Sequence, residues 1–281
     1  MHVTHRFAGA SAVITGAGSG IGRLMAERIA AEGGNVAIWD INSDAAHHTA
    51  DAINQSPTTH GHAVAFAVDI TDNTAVQQAA RDTITALGKV NILINNAGIV
   101  SGADFEQLTE QQIRRTFAVN TLSLYWTNKA LLPELRRHHR AVSVTVASAA
   151  GLVATARQTD YAASKFAAVG FTNALRSELK KTHSSVRTLV VCPYYIDTGM
   201  FAGVTTRFPQ LLPILKPEYV ADRIVDAIAK GHERLILPPF AAVATVVAAL
   251  PPELSDPIYA LFGLNDCMDA FVGRSGQSQH A

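Results

Sequence analysis

The chain has 281 residues, 48% of them apolar and 16% charged, and 23 Lys plus Arg balance 23 Asp plus Glu. That size suits one large α/β domain with a substantial core, and the even charge gives none of the basic excess that nucleic acid binding needs. Cys192 and Cys267 are too few for a disulfide scaffold or a thiolate zinc site, which fits a reducing, cytoplasmic setting with no structural metal.

Short apolar runs alternate with longer amphipathic ones, the pattern of a parallel sheet wrapped by helices. In chain order, Ser11 to Thr15 is predicted as a strand and Gly20 to Glu32 as a helix stopped by Gly33 and Gly34. Asn35 to Asp40 is the second strand and Asp44 to Asn54 its return helix. Strands at His62 to Val68 and Val90 to Asn95 flank a helix from Asp72 to Leu87. Thr109 to His138 reads as one long helix, its end carrying the basic run Arg136 to Arg140 that suits a helix C-terminus. Ala141 to Ala147, Val186 to Cys192 and Arg234 to Leu237 complete the strands, and helices at Asp160 to Lys181 and Lys216 to Lys230 lie between them. No repeat or linker divides the chain. The expected architecture is a doubly wound, parallel, seven-stranded α/β sheet over residues 6–237, with an apolar helical extension over 238–281.

Thr15-Gly-Ala-Gly-Ser-Gly-Ile-Gly22 lies between the first strand and the first helix. Glycines 16, 20 and 22 allow a tight turn and let a pyrophosphate approach backbone N–H groups at a positive helix terminus. The second strand ends in Asp40, 24 residues after Gly16, where a carboxylate can accept hydrogen bonds from the adenosine ribose. It would repel a 2′-phosphate, so NAD is expected over NADP. The bland alternative makes Asp40 a cap for the next turn. Asp69, at the end of the third strand, could likewise touch adenine or cap a helix.

Tyr161 and Lys165 are four apart on a predicted helix and therefore share a face. An ammonium near a phenol favours phenolate and is expected to lower the tyrosine pKa, so that it can trade protons near neutral pH. Ser148 leaves the C-terminal end of the fifth strand, the edge where open α/β sheets bind ligands, and its hydroxyl can bond a substrate oxygen.

Together these residues resemble the short-chain dehydrogenase/reductase family over about residues 6–231. The glycine motif matches Thr15 to Gly22, the Asn-Asn-Ala-Gly signature is Asn95-Asn96-Ala97-Gly98, and the active-site tetrad matches Asn120, Ser148, Tyr161 and Lys165. The resemblance implies a Rossmann fold and interconversion of an alcohol and a carbonyl. Tyr161 would take the proton, with Ser148 holding the oxygen, Lys165 binding the nicotinamide ribose and Asn120 positioning a water. The implied cofactor contacts are Gly16, Ser19, Gly20, Ile21, Asp40, Asp69, Ile70, Asn96, Ala97, Gly98, Tyr161, Lys165, Pro193, Ile196 and Thr198.

After the sixth strand the usual Pro-Gly is replaced in Cys192-Pro-Tyr-Tyr-Ile-Asp-Thr-Gly-Met200, which resembles the retinol and 17β-hydroxysteroid dehydrogenase branch. That branch implies a lipophilic alcohol such as a retinoid, a sterol or a long-chain alcohol. A 3-oxoacyl-thioester reductase using NADPH and an NAD-sensing protein without turnover are the alternatives.

Resemblance also implies a homodimer or homotetramer. No uninterrupted apolar run of about 20 residues predicts a membrane span, and Met1 to Gly9 is too short and polar for a signal peptide. Phe240 to Leu250, bracketed by prolines, is expected to cover the substrate cleft, pack on a partner subunit or touch a membrane surface, and a frayed tail is expected from Gly273.

Overall fold

The apolar runs pair into seven parallel strands, β1 (Ser11–Thr15), β2 (Asn35–Asp40), β3 (Ala63–Ala67), β4 (Ile92–Asn95), β5 (Val142–Val146), β6 (Arg187–Pro193) and β7 (Arg234–Leu237). The computed structural model describes residues 5–273. Part of the segment weighed as a leader, residues 1–4, and most of the tail expected to fray, residues 274–281, lie outside the described residues. The sheet order is β3-β2-β1-β4-β5-β6-β7. Ile14 of β1 stands level with Ile38 of β2 on one side and Ile94 of β4 on the other. The chain thus winds outward from β1 and then restarts at β4. That reversal opens a crevice beyond the carboxyl ends of β1 and β4.

Both faces of the sheet are covered, so β1, β4 and β5 are buried at every residue rather than at alternate ones. The helices are α1 (Gly20–Ala31), α2 (Ser43–Gln55), α3 (Asn73–Leu87), α4 (Glu110–Phe117), α5 (Ser123–Leu135), α6 (Thr159–Lys181) and α7 (Pro217–Lys230). On one face Ile14, Ile38 and Val144 pack with Met25 and Ile29 of α1 and Ile224 and Ile228 of α7. On the other, Val13, Trp39 and Leu93 pack with Leu131 and Leu135 of α5 and Leu179 of α6. Val13 and Ile14 fall on opposite faces because strand side chains alternate. The buried Trp39 ring N–H is satisfied by the Thr83 hydroxyl at 2.9 Å.

Most element ends lie within one or two residues of the sequence expectation. Two expectations need correction. Thr109 to His138 is not one regular helix. It opens with a Thr109–Gln112 capping box, turns into a π segment at Ala118–Leu122 between α4 and α5, and ends at Leu135, short of His138. Nor is Phe240 to Leu250 a single helix. A 3-10 turn at Pro239–Ala242 leads into α8 (Val243–Val247), and the proline pair at 251 and 252 starts α9 (Pro252–Leu261). Val243 and Val246 remain exposed. Among the described residues, no helix is long and apolar enough to cross a membrane, and no cluster of side chains could hold a metal ion.

Candidate active site

The crevice at the sheet reversal is lined first by the β1–α1 turn. Gly22 packs so tightly there that a Cβ would lie 2.3 Å from the Gly16 carbonyl oxygen. Asn96 stitches the segment after β4 to this turn. Its Nδ2 donates to the carbonyls of Thr15 (2.9 Å) and Gly16 (3.2 Å), while the Thr15 hydroxyl accepts from the backbone N–H of Asn96 and Ala97. Ser19 caps α1 in an extended conformation, with its hydroxyl free of any capping bond. This is a cradle of backbone donors at a helix N-terminus, suited to a pyrophosphate.

Asp40 closes the far side. One carboxylate oxygen accepts from Gly18 N–H at 2.9 Å and the other from Asn42 N–H at 3.0 Å. The capping alternative and the ribose-facing alternative are therefore compatible, because the group both orders its turn and lines the crevice. Asp69 also serves its own turn, accepting from the Thr71 N–H (2.9 Å) and hydroxyl (2.7 Å).

The other end holds the tetrad residues. Ser148 leaves β5 as the cap of a short 3-10 turn, where its oxygen accepts from Ala150 N–H at 3.1 Å. Tyr161 is in the first turn of α6 and Lys165 one turn on; each is only 4% exposed. Lys165 Nζ donates to the Val146 carbonyl at 3.1 Å and lies 5.6 Å from the centre of the Tyr161 ring. Asn120 sits within the π segment, the kind of helix distortion that recurs at functional sites. Its side chain accepts from Ile99 N–H and donates to the Ile99 carbonyl and the Ser164 hydroxyl. A Cβ on Gly98 would lie 3.3 Å from Lys165 Nζ and 3.4 Å from Asn120 Oδ1, so these two groups crowd one point.

The expected direction of the tyrosine pKa needs correction. Burial dominates and pushes the Tyr161 phenol up to about 12, with the Ser148 hydroxyl pulling it back. Burial also pushes the Lys165 ammonium down to about 8. The spacing reveals that a cation is near, but it does not show that both groups are stripped of water. Burial likewise pushes the Cys192 thiol up to about 11, as befits a packing residue.

Ser148, Tyr161, Lys165 and every residue expected to touch cofactor line one cleft of about 400 Å³. Asn120 stands behind its wall. Sequence reasoning missed Arg115, Met200 and Phe201, which also line it. Arg115 is one helical turn before Val119, and nothing in its local sequence separates it from surface cations. Phe201 meets the Tyr161 ring edge-on at 5.7 Å between centroids.

A dinucleotide cradle running into a Ser-Tyr-Lys cluster with buried Tyr161 and Lys165 defines a nicotinamide-dependent oxidoreductase acting on CH–OH groups. The chain belongs to the short chain dehydrogenase family, whose family model matches residues 10–207. It is 40% identical over 233 residues to short-chain dehydrogenase/reductase family 16C member 6 of Bos taurus, covering 83% of this chain and 73% of that protein. Epidermal retinol dehydrogenase 2 of Mus musculus is 36% identical over 269 residues, covering 95% and 86%. A short-chain dehydrogenase/reductase from Burkholderia phymatum, solved with NAD, superposes with a TM-score of 0.76 at 27% identity, covering 86% of this chain and 93% of that one. A 7α-hydroxysteroid dehydrogenase complexed with NADH and 7-oxo glycochenodeoxycholic acid gives 0.75 at 29% identity, covering 84% and 96%.

Proposed function

We propose that the protein is an NAD-dependent dehydrogenase of lipophilic primary or secondary alcohols, the retinoids, steroids and long-chain alcohols, with Tyr161 as its proton-transferring residue. The observation that carries this reading is the convergence of Ser148, Tyr161 and Lys165 on the same cleft as the glycine turn. The retinol and hydroxysteroid dehydrogenases among its relatives support the substrate class.

When bound, the nicotinamide supplies the hydride acceptor. The chain itself does the rest. The hydroxyls of Ser148 and Tyr161 hold the alcohol oxygen, and Tyr161 accepts its proton. Lys165 would bind the nicotinamide ribose and offset negative charge on the phenolate, which in a buried site is worth far more than in water. Asn120, crowding Lys165 at Gly98, would position a water linking the lysine to solvent. Gly16, Ser19, Gly20, Ile21, Asp69, Ile70, Asn96, Ala97, Gly98, Pro193, Ile196 and Thr198 line the cleft and would hold and orient the dinucleotide.

Asp40 favours NAD, its carboxylate held at the cleft by two backbone N–H groups. Arg115 lines the same cleft and favours the competing NADPH-dependent reading, a 3-oxoacyl-thioester reductase. The deciding experiment measures NADH and NADPH production or use against retinol, a steroid alcohol, a long-chain alcohol and a 3-oxoacyl thioester. NAD-linked oxidation of the lipophilic alcohols is expected; NADPH-selective reduction of the thioester would replace the reading, and binding of NAD without any turnover would favour a sensor.

Exposed Leu122, Tyr125 and Phe166, on the π segment, α5 and α6, favour association of two or four copies through these helices, which sedimentation checks. Exposed Val246, Leu254 and Leu261 favour peripheral contact with a lipid surface, which vesicle co-sedimentation checks.

A further inference from the structure

The wall facing Tyr161, formed by Phe201, is backed by the far end of the chain. Phe201, beside the Tyr161 ring, is flanked by Tyr195 at 5.1 Å and by Phe271 at 6.4 Å between ring centroids. Phe271 belongs to a strap, residues 267–273, that crosses the loop following β6. The strap is tied down by side chains and isolated backbone bonds rather than by a strand. Thr205 N–H donates to the Cys267 carbonyl at 3.1 Å, and Val272 N–H donates to the Ala202 carbonyl at 2.9 Å. Arg157 donates to the carbonyls of Met268 (2.9 Å) and Asp269 (3.0 Å), and its guanidinium pairs with Asp104 at 3.4 Å. Cys267 and Met268 are buried among Tyr195, Val204 and Phe201.

Gly102 is the seat of this strap. Its φ is +68°, and a Cβ there would fall 2.1 Å from the Phe271 ring, so the ring lies flush on bare backbone. The next residue back, Ser101, gives its hydroxyl to the buried Asp160 carboxylate, which also accepts from Thr116 at 2.7 Å. Asp160 immediately precedes Tyr161. Seat, ring and reacting hydroxyl are thus held to a common frame.

We propose that this strap determines which alcohols reach Tyr161, with Phe271 wedged on Gly102 as a positioning residue that fixes Phe201 against the cleft. The proposal rests on reading the cleft as an alcohol site. Phe201 is packed by aromatic edges on two sides, and removing Phe271 leaves a space into which it can turn. The cluster around it is apolar apart from the tyrosine hydroxyls and Cys267, so the substrate it fits is a carbon skeleton recognised by shape, with its hydroxyl bonded at Tyr161.

The test compares wild type, Phe271→Ala, Gly102→Ala and Phe271→Leu with NAD, across alcohols rising in bulk from cyclohexanol to a steroid alcohol and retinol. Phe271→Ala and Gly102→Ala remove the wedge from opposite sides. Both are expected to raise the bulky-to-small ratio of kcat/KM by about fivefold or more, through KM, at unchanged NAD affinity. Phe271→Leu is expected to bring the ratio back toward wild type. A ratio within about twofold of wild type, in variants that bind NAD normally, overturns the proposal. So does loss of NAD affinity in step with activity in both wedge variants, which is general damage. If wild type oxidises none of these alcohols, the dehydrogenase reading fails by itself, and the strap is judged by retinol fluorescence on the NAD-bound protein. Tighter retinol binding by Phe271→Ala supports it; equal or undetectable binding overturns it.

Discussion

The chain up to β5 and the chain after β6 solve the problem of holding a ligand in different ways. In the first region each ligand-facing group sits on a short turn at a strand end, and bonds from Asn96 to Thr15 and from Gly18 to Asp40 only tie those turns together. Glycines make the turn after β1, and Asp40 and Asp69 each bond a residue two places on. In the second, the loop after β6 and the strap meet across more than 60 residues of chain and are held by Arg157, Tyr194 and tilted aromatic rings. A motif can be reproduced by local chemistry alone, whereas the strap exists only once the rest has folded. On the proposed reading, the first region serves what all substrates share and the second what distinguishes them.

The sharpest way to break this contrast is Tyr161→Phe. It should lower kcat by roughly 10³-fold, within the range of lost acid–base catalysis, yet leave NAD affinity measured by fluorescence titration intact. Next is pH. Oxidation needs the phenol ionised, and burial pushes it up to about 12, so kcat/KM for oxidation should rise with pH from neutrality and flatten near pH 8, where the Lys165 ammonium that supports the phenolate loses its proton. Reduction needs the protonated form and should stay flat. Ser148→Ala removes the bond that pulls the phenol down and should move the oxidation limb to higher pH.

Lys165 carries a stability signature. Its pKa is near 8 folded and 10.5 as a free side chain, so between these values the unfolded chain binds more protons. Stability should rise with pH across that window by at most on the order of 3 kcal/mol, and Lys165→Met should remove the rise in thermal melts.

Asp40→Ala should weaken NAD binding by about tenfold and improve use of NADP relative to NAD, because a carboxylate that repels a 2′-phosphate is gone. On the strap side, Arg157→Gln should speed hydrogen exchange over residues 267–273, reflecting about 2 kcal/mol of lost charged hydrogen bonds, without changing NAD affinity. A fall in NAD affinity there would show the two regions to be one. The smallest effect belongs to Glu110→Ala, since the Glu110–Arg114 pair is 77% exposed at both ends and should change stability by under about 0.5 kcal/mol.

What could be read from the sequence follows the same division. The strands, the glycine turn and the Tyr161–Lys165 pair were legible because each is a pattern within a few residues, and the turn and the pair fall on the cleft. Arg115 and Phe201 were not, since only the folded chain brings them to the cleft. The tyrosine pKa was misjudged in direction because spacing reveals a neighbour but not its desolvation. The π segment was invisible for another reason: its apolar residues continue the helical pattern of α4 into α5 without a break.

That segment has a consequence for how the chain tolerates length changes. Each residue of a regular helix advances the face by about 100°, and the wider turn at Ala118–Leu122 absorbs one residue that a regular helix has no room for, so deleting one there would tidy the backbone and remove the bulge that presents Asn120. Asn120 could then not keep both Ile99 and Ser164 as partners. The more regular helix would be the poorer enzyme, and the irregularity is a register mark that shorter variants could not keep.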